Sequence, residues 1–375
     1  MLASRRMPAA LLRTPLHARH AALGARTGPF AGWDMPIEYE GVRAEHRAVR
    51  ERAGVFDVSH MGQIEVLGAG ARDFLARALT NDVTRLMPGQ AQYTLLPTDE
   101  GGVVDDLIAY ALLDRFLLVV NASNIAACMD RLTELAPDGV EVADRSPEVA
   151  MLALQGPAWR EVLGPLAATP AVFNLPYMEA TEEHVARVPC LVARTGYTGE
   201  PGVEIMCPAG SATRVWDALM AGAVAPAPCG LAARDTLRLE MGYPLYGNEL
   251  SRERTPIEAG LRWACDLRHG RFPGAALMRR QAEEGTAERL AMLTLTQPGI
   301  PRPGCAVLHD GAPVGTVTSG TLSPTLGIGI AMAYVPSALA APGTALAVDV
   351  RGKVKAAQVA RRPLIDTSPR KGDPE

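Results

Sequence analysis

Two adjacent carboxylates, Asp105 and Asp106, stand inside an otherwise apolar run, Gly101-Gly102-Val103-Val104-Asp105-Asp106-Leu107-Ile108-Ala109-Tyr110. Carboxylates in such a setting can move protons or accept hydrogen bonds from a ligand. The run reads as a strand, whose successive side chains point to opposite faces. Asp105 is then expected with Val103, Leu107 and Ala109, and Asp106 with Val104, Ile108 and Tyr110. Neither face is polar, so at least one carboxylate is partly buried, at a cost unless a donor or ligand satisfies it. Opposite faces argue against a two-carboxylate dyad. The pattern alone leaves two readings open: aspartates capping a turn at a strand end, or a catalytic or ligand-holding site.

Three further stretches carry chemistry-bearing side chains. The loop Thr195-Gly196-Tyr197-Thr198-Gly199-Glu200-Pro201-Gly202 lacks the Gly-Lys-Ser/Thr ending of a phosphate loop, and a strand rather than a helix follows it. It is either a tight β-connection or a loop that turns Tyr197 and Glu204 toward a ligand. In the helical stretch from Gly230 to Met241, Leu231, Arg234, Arg238 and Met241 share one stripe. Two arginines there need carboxylates, Asp235 or Glu240, or an anionic or polar ligand. The segments Phe30-Ala31-Gly32-Trp33-Asp34-Met35-Pro36 and Phe56-Asp57-Val58-Ser59-His60-Met61-Gly62 read as packing. No nucleophile motif accompanies His60, which reads as a hydrogen-bonded structural histidine.

The elements that must position these residues follow from periodicity. Helices are expected over 41–53, 69–79, 125–135 and 212–220. Strands are expected over 63–67, 92–96, 103–113, 116–120, 151–155, 191–194 and 203–206, with 97–102 as a hairpin connection. The order is mixed α+β rather than strictly alternating. Residues 286–298 read as a boundary strand and linker, dividing 1–285 from 286–375. Beyond them, short strands with turn signals, including a hairpin around His309-Asp310-Gly311, indicate a small C-terminal β-barrel or sandwich.

Composition narrows the class. The chain has 375 residues, 48% hydrophobic and 21% charged, as expected of a folded protein with more than one core. A net charge of −4 implies no general attraction to nucleic acid or anionic membranes, and no apolar run is long enough to span a bilayer. Six cysteines form no CxxC pair and the histidines no HExxH spacing, so no metal is expected and the thiols are expected to stay reduced. No acidic residue precedes Asp34, whereas Arg5, Arg6, Arg13, Arg19 and Arg26 do, a bias found in mitochondrial transit peptides. Because Arg13-Thr14-Pro15-Leu16 already reads as folded domain, a bacterial cytoplasmic protein with a ragged start is expected, with the mitochondrial matrix as the alternative.

Seven motifs, in order across nearly the whole chain, resemble the aminomethyltransferase or T-protein family of the glycine cleavage system. They are Arg13-Thr14-Pro15-Leu16, Phe30-Ala31-Gly32-Trp33, Phe56 to Gly62, Gly101 to Leu107, Arg194 to Glu200, Gly230 to Asp235 and Ser323-Pro324-Thr325-Leu326-Gly327. The resemblance implies an α+β three-domain cloverleaf around a central folate channel, ending in a small β-barrel. It implies transfer of an aminomethyl group from the lipoyl arm of a partner H-protein to tetrahydrofolate, giving 5,10-methylenetetrahydrofolate and ammonia, by a monomer that needs no metal. It implies that Asp106 is the key carboxylate near folate N10, with Asp105 as its structural partner. Glu204 and Arg234 are implied folate contacts, and Met61, Tyr93, Tyr110, Asn121 and Tyr197 channel lining. Two departures stand out. The loop after Gly199 runs Glu200-Pro201-Gly202-Val203-Glu204, and the tail from Arg361 lacks the tyrosine that some members use. A folate-dependent demethylase on the same fold and a non-enzymatic folate-binding maintenance protein are the rival readings. The Lys-Gly-Cys signature of the latter is absent.

Overall fold

Strand Val103–Ala111, which carries both aspartates, is the second member of a five-stranded sheet ordered Ala91–Pro97, Val103–Ala111, Phe116–Val120, Gly62–Leu67, Glu141–Asp144. The structure is a computed structural model that describes residues 10–268 and 270–370. One face of this sheet is covered by helices Ala71–Ala78 and Ile125–Leu135, which bury Phe74, Leu75, Cys128 and Leu132 against Ile64, Leu107 and Leu118. All five residues of Phe116–Val120 are buried, as a continuous apolar run covered on both faces must be.

The other face meets a second sheet of six strands, ordered Ala180–Val185, Val188–Ala193, Gly202–Pro208, Val149–Gln155, Gly54–Asp57, Ala227–Pro228. Tyr110, Leu117 and Val119 from the first sheet pack with Phe56, Met151, Ala153 and Ala193 from the second. Helices Trp159–Leu163 and Ala212–Met220 close the outer face of the second sheet, and Leu16 joins that core. Thr14 is buried as well and donates to Asp57 at 2.6 Å, so Arg13-Thr14-Pro15-Leu16 is part of the folded domain. Residues 1–9, on which part of the targeting expectation rests, lie outside the described residues.

The C-terminal part is a closed six-stranded barrel, Glu288–Leu295, Gly329–Pro336, Ala312–Leu322, Ala306–His309, Ala345–Val350 and Lys353–Ala360. The stretch read as boundary strand and linker is therefore largely a stave: Glu288–Leu295 pairs with strands on both sides because its apolar side chains fill the barrel core. Helix Leu231–Met241 joins the layers. Its Ala233 and Leu237 enter the core between the two sheets, and its Leu239 packs with Leu290, Met292 and Ile330 on the barrel's outside.

The expected alternation fails at one point beside the aspartates. Pairing passes from Leu96↔Asp105 directly to Pro97↔Val103, so Val104 is an extra, bulged residue. Val104 consequently joins Leu107 and Ala109, while Val103 packs with Leu95 in a different cluster. A bulge re-aims the side chains that follow it, and such bulges are common beside active sites. Just before it, Gly102 lies against the chain: a Cβ there would stand 1.7 Å from the Arg252 carbonyl oxygen, so only glycine fits.

Candidate functional site

Asp105 is completely buried and Asp106 half-buried, yet both carboxylates meet one amide. Asn121, at the end of the neighbouring strand, donates from Nδ2 to Asp105 Oδ1 and to Asp106 Oδ1, both at 2.9 Å. The carboxylates leave the strand on opposite faces, but this bridge joins them electrostatically, which alternation alone does not foresee. The other oxygen of Asp106 accepts from the Tyr93 hydroxyl at 3.0 Å. Tyr93 reaches it from the adjacent strand, where it faces Ile108. Burial pushes Asp106 up to about 6. Burial, then the charge of Asp106, pushes Asp105 up to about 7, so the pair retains a proton far above the ordinary carboxylate range.

A second carboxylate, Glu204, stands in the middle of strand Gly202–Pro208 and is 6% exposed. It accepts from Thr195 Oγ1 at 2.5 Å, and Thr195 in turn shares a hydrogen bond of 3.0 Å with the Tyr110 hydroxyl. Tyr110 is fully buried, with its hydroxyl held by Thr195. Burial raises Glu204, while Arg234 and Thr195 favour its charged form. Arg234 itself lies 4.9 Å over the Tyr197 ring, and Tyr197 stacks on Tyr243 with centroids 5.8 Å apart. Burial lowers Arg234, and its Nη1 has no hydrogen-bond partner in the protein. A buried guanidinium N–H without an acceptor is unusual and marks a place where a ligand's acceptor fits.

The two arginines of the helical stripe therefore separate. Arg238 is locked by Asp235 at 2.8 Å and Glu249 at 3.1 Å, whereas Glu240 turns instead to Arg50 at 2.9 Å. Only Arg234 keeps free bonding capacity. The charges of Asp106 and Arg234 both act on Tyr197, so Asp106, Tyr93, Tyr197, Arg234 and Glu204 form one cluster between the sheets and helix Leu231–Met241. Met61 is half-buried against the same core as Tyr110. His60 beside it is buried, packs edge-on to Phe30 at 5.5 Å, and is pushed down to about 4 by burial. Its Nδ1 has no partner, so the expected hydrogen bond is missing there.

Sequence reasoning missed several neighbours. Trp263 is 67% exposed and stacks on Tyr93 at 5.3 Å, which puts an open aromatic face next to Asp106. Nothing local to Trp263 signals this. Asn124, which donates to Asp105 at 2.5 Å, could have been noticed as a second amide three residues after Asn121. Among the described residues, no group of three or more His, Cys, Asp or Glu is arranged to hold a metal, and no helix is long and apolar enough to cross a membrane.

Comparison with known proteins gives a consistent result. The GCVT N-terminal domain family matches residues 16–269, and the glycine cleavage T-protein C-terminal barrel domain family matches residues 288–366. An aminomethyltransferase from Geobacillus kaustophilus is 47% identical over 347 residues, 92% of this chain and 95% of the relative. One from Mycobacterium leprae is 44% identical over 364 residues, 96% of this chain and 98% of the relative. The crystal structure of glycine cleavage system aminomethyltransferase T from Bartonella henselae superposes with a TM-score of 0.90 at 36% identity, covering 96% of this chain and 99% of that one.

Proposed function

The chain belongs to the glycine cleavage T-protein family, and from that premise we propose that it is an aminomethyltransferase using tetrahydrofolate as acceptor and the lipoyl arm of an H-protein as donor. The products are 5,10-methylenetetrahydrofolate and ammonia. The observation that carries this reading is that a proton-retaining carboxylate, Asp106, and an arginine whose buried Nη1 has no partner, Arg234, both lie beside Tyr197. A folate presents complementary groups: a flat pterin, ring N–H and amino donors for Glu204, ring acceptors for Arg234, and an N10 amine for Asp106.

The residues divide the work accordingly. Asp106 is pushed up to about 6 by burial, close enough to neutrality to give and take a proton as the one-carbon bridge between N5 and N10 closes. Tyr93 and Asn121 hold it in one orientation, so little reorganisation is needed during reaction. Tyr197, stacked on Tyr243 and capped by Arg234, offers a rigid aromatic surface. We take the enzyme to act as a monomer, and the bacterial relatives favour a cytoplasmic setting.

The deciding experiment supplies purified protein with tetrahydrofolate and either aminomethylated lipoyl H-protein or simple methylated amines. The expected result is methylenetetrahydrofolate and stoichiometric ammonia from the H-protein donor alone. Turnover with methylated amines and none with the H-protein would transfer the assignment to a demethylase.

A further inference from the structure

The donors around Asp105 and Asp106 differ in kind. Asp105 Oδ1 accepts from Asn121 Nδ2 at 2.9 Å and Asn124 Nδ2 at 2.5 Å. Its Oδ2 accepts from the Asn121 backbone N–H at 2.8 Å and faces the Cys128 thiol at 3.6 Å. Ser123 donates to the oxygen of the Asn124 amide at 3.2 Å, which turns the NH2 of that amide toward Asp105. Amide and backbone N–H groups cannot accept, so a proton on Asp105 would displace one of them or have only the weakly accepting Cys128 sulfur as its partner. Asp106 is different. Its Oδ2 faces the Tyr93 hydroxyl, which can accept as readily as donate, so a proton there keeps a partner. Burial pushes Asp105 up to about 7 and Asp106 to about 6, so burial alone would leave the shared proton on Asp105. The hydrogen bonds oppose this, because Asp105 is met by N–H donors and Asp106 by a hydroxyl that can accept, and they assign the proton to Asp106. The two hydrogens of the Asn121 NH2 group serve both carboxylates at once.

We propose that Asp105 is a positioning residue for the transfer: it stays ionised, anchors the Asn121 amide, and through that amide sets the orientation of Asp106 and the negative charge behind it. This rests on the reading of Asp106 as the carboxylate that meets the folate acceptor. The arrangement uses a fixed charge to make a neighbouring carboxylate a better proton acceptor, as like charges in one site do.

The other groups facing the pair do not interfere near neutrality. They are Tyr93 from strand Ala91–Pro97, Cys128 from helix Ile125–Leu135, Tyr197 from the glycine-rich loop, and Tyr246 and Glu249 after helix Leu231–Met241, with Arg252 beside Cys128. Burial pushes the tyrosines and the thiol upward, so they keep their protons, and Glu249 is paired with Arg238 at 3.1 Å.

The test is the pH profile of kcat in full-length Asp105→Asn, Asn121→Ser and Asp106→Asn, assayed with aminomethylated H-protein and tetrahydrofolate. Asp105→Asn removes the charge behind Asp106 and is expected to move the acidic limb about one pH unit lower. Asn121→Ser keeps both charges but removes a donor to ionised Asp106, so its limb moves higher. Both lower kcat at the optimum by about tenfold through lost orientation, and Asp105→Asn leaves folate affinity, read by titration, unchanged. A merely structural Asp105 would lower activity equally at every pH with the limb unmoved, which overturns the proposal. If Asp105→Asn does not fold, an unmoved limb in Asn121→Ser overturns it instead. An inactive Asp106→Asn beside an unmoved Asp105→Asn limb defeats this inference alone, whereas full kcat in Asp106→Asn defeats the reading of Asp106 as well.

Discussion

At the seam between helix Leu231–Met241 and the barrel, Glu240 is fully buried and surrounded by donors. It meets Arg50 at 2.9 Å, Thr325 Oγ1 at 2.9 Å, the Thr325 N–H at 3.1 Å, Ser323 Oγ at 2.5 Å and His46 at 3.3 Å. Asp106, on the five-stranded sheet, has two neutral partners, Asn121 and Tyr93. Burial opposes the charged form of both. At Glu240 the hydrogen bonds and charges of His46, Ser323 and Arg50 outweigh it and bring the group down to about 2. At Asp106 the neutral partners do not, and it is pushed up to about 6. What separates a clamp from a reactive group is therefore the number and charge of its donors, not burial. Glu240 ties helix Val42–Glu51, helix Leu231–Met241 and the barrel loop together through a permanent charge. Asp106 keeps a proton that can move.

The sharpest way to break this contrast is Asp106→Asn. It is expected to lower kcat by about 10²–10⁴-fold, the usual weight of a general acid–base group, while Tm does not fall; a thermostable variant with wild-type kcat would dissolve the contrast. Glu240→Gln should do the reverse. Loss of one member of a buried ionic cluster costs about 3–5 kcal/mol, so denaturant melts should show a large drop while kcat of the folded fraction persists. A smaller effect is expected from Arg234→Ala. It removes a charged donor worth about 1.5–3 kcal/mol, so folate affinity measured by titration should weaken by about 10–100-fold, with kcat at saturation less affected. Unchanged affinity would remove Arg234 from the site.

The smallest effect is the most diagnostic, because its sign differs between the two regions. Asp106 has its proton affinity raised from an ordinary 3.8 to about 6, so its contribution to stability is whole below its unfolded value and is lost as pH rises through 6. Glu240 is lowered from 4.5 to about 2, so its contribution is whole above 4.5 and is lost as pH falls toward 2. Relative to the parent, Asp106→Asn should therefore gain Tm at about pH 8 and lose that gain at about pH 4, while Glu240→Gln should lose most at neutrality and least at about pH 3. Parallel pH trends in thermal melts of the two variants would show that the clusters do not differ in this way.

Much of this architecture is legible in the sequence. The alternating run 63–67, the continuous apolar run 116–120 and the helical stretch 212–220 appear as strands and helix because each has a recognisable apolar pattern. The barrel is legible from its turn signals, such as the Asp310-Gly311 pair, both at positive φ. Strand Glu288–Leu295 is legible as the strand expected at the boundary, but its apolar residues serve two faces, Ala291, Leu293 and Leu295 in the barrel core and Leu290 and Met292 against helix Leu231–Met241, and only the folded chain shows that division. Alternation fails at Val104, since a bulge inserts a residue that the pattern cannot count.

What the sequence by itself determined is local: the elements, their apolar faces, the presence of two carboxylates where burial is unavoidable, and the ordered motifs that mark the family. What only the tertiary structure decided is the state of those carboxylates. The partners that govern them come from elsewhere in the chain: Tyr93 lies 13 residues before Asp106, Asn121 lies 16 after Asp105, and Cys128 lies 23 after it. Strand periodicity says which face a side chain occupies. Proton affinity depends on which donors the folded chain brings to that face, and those donors are set by pairing and packing between elements distant in sequence.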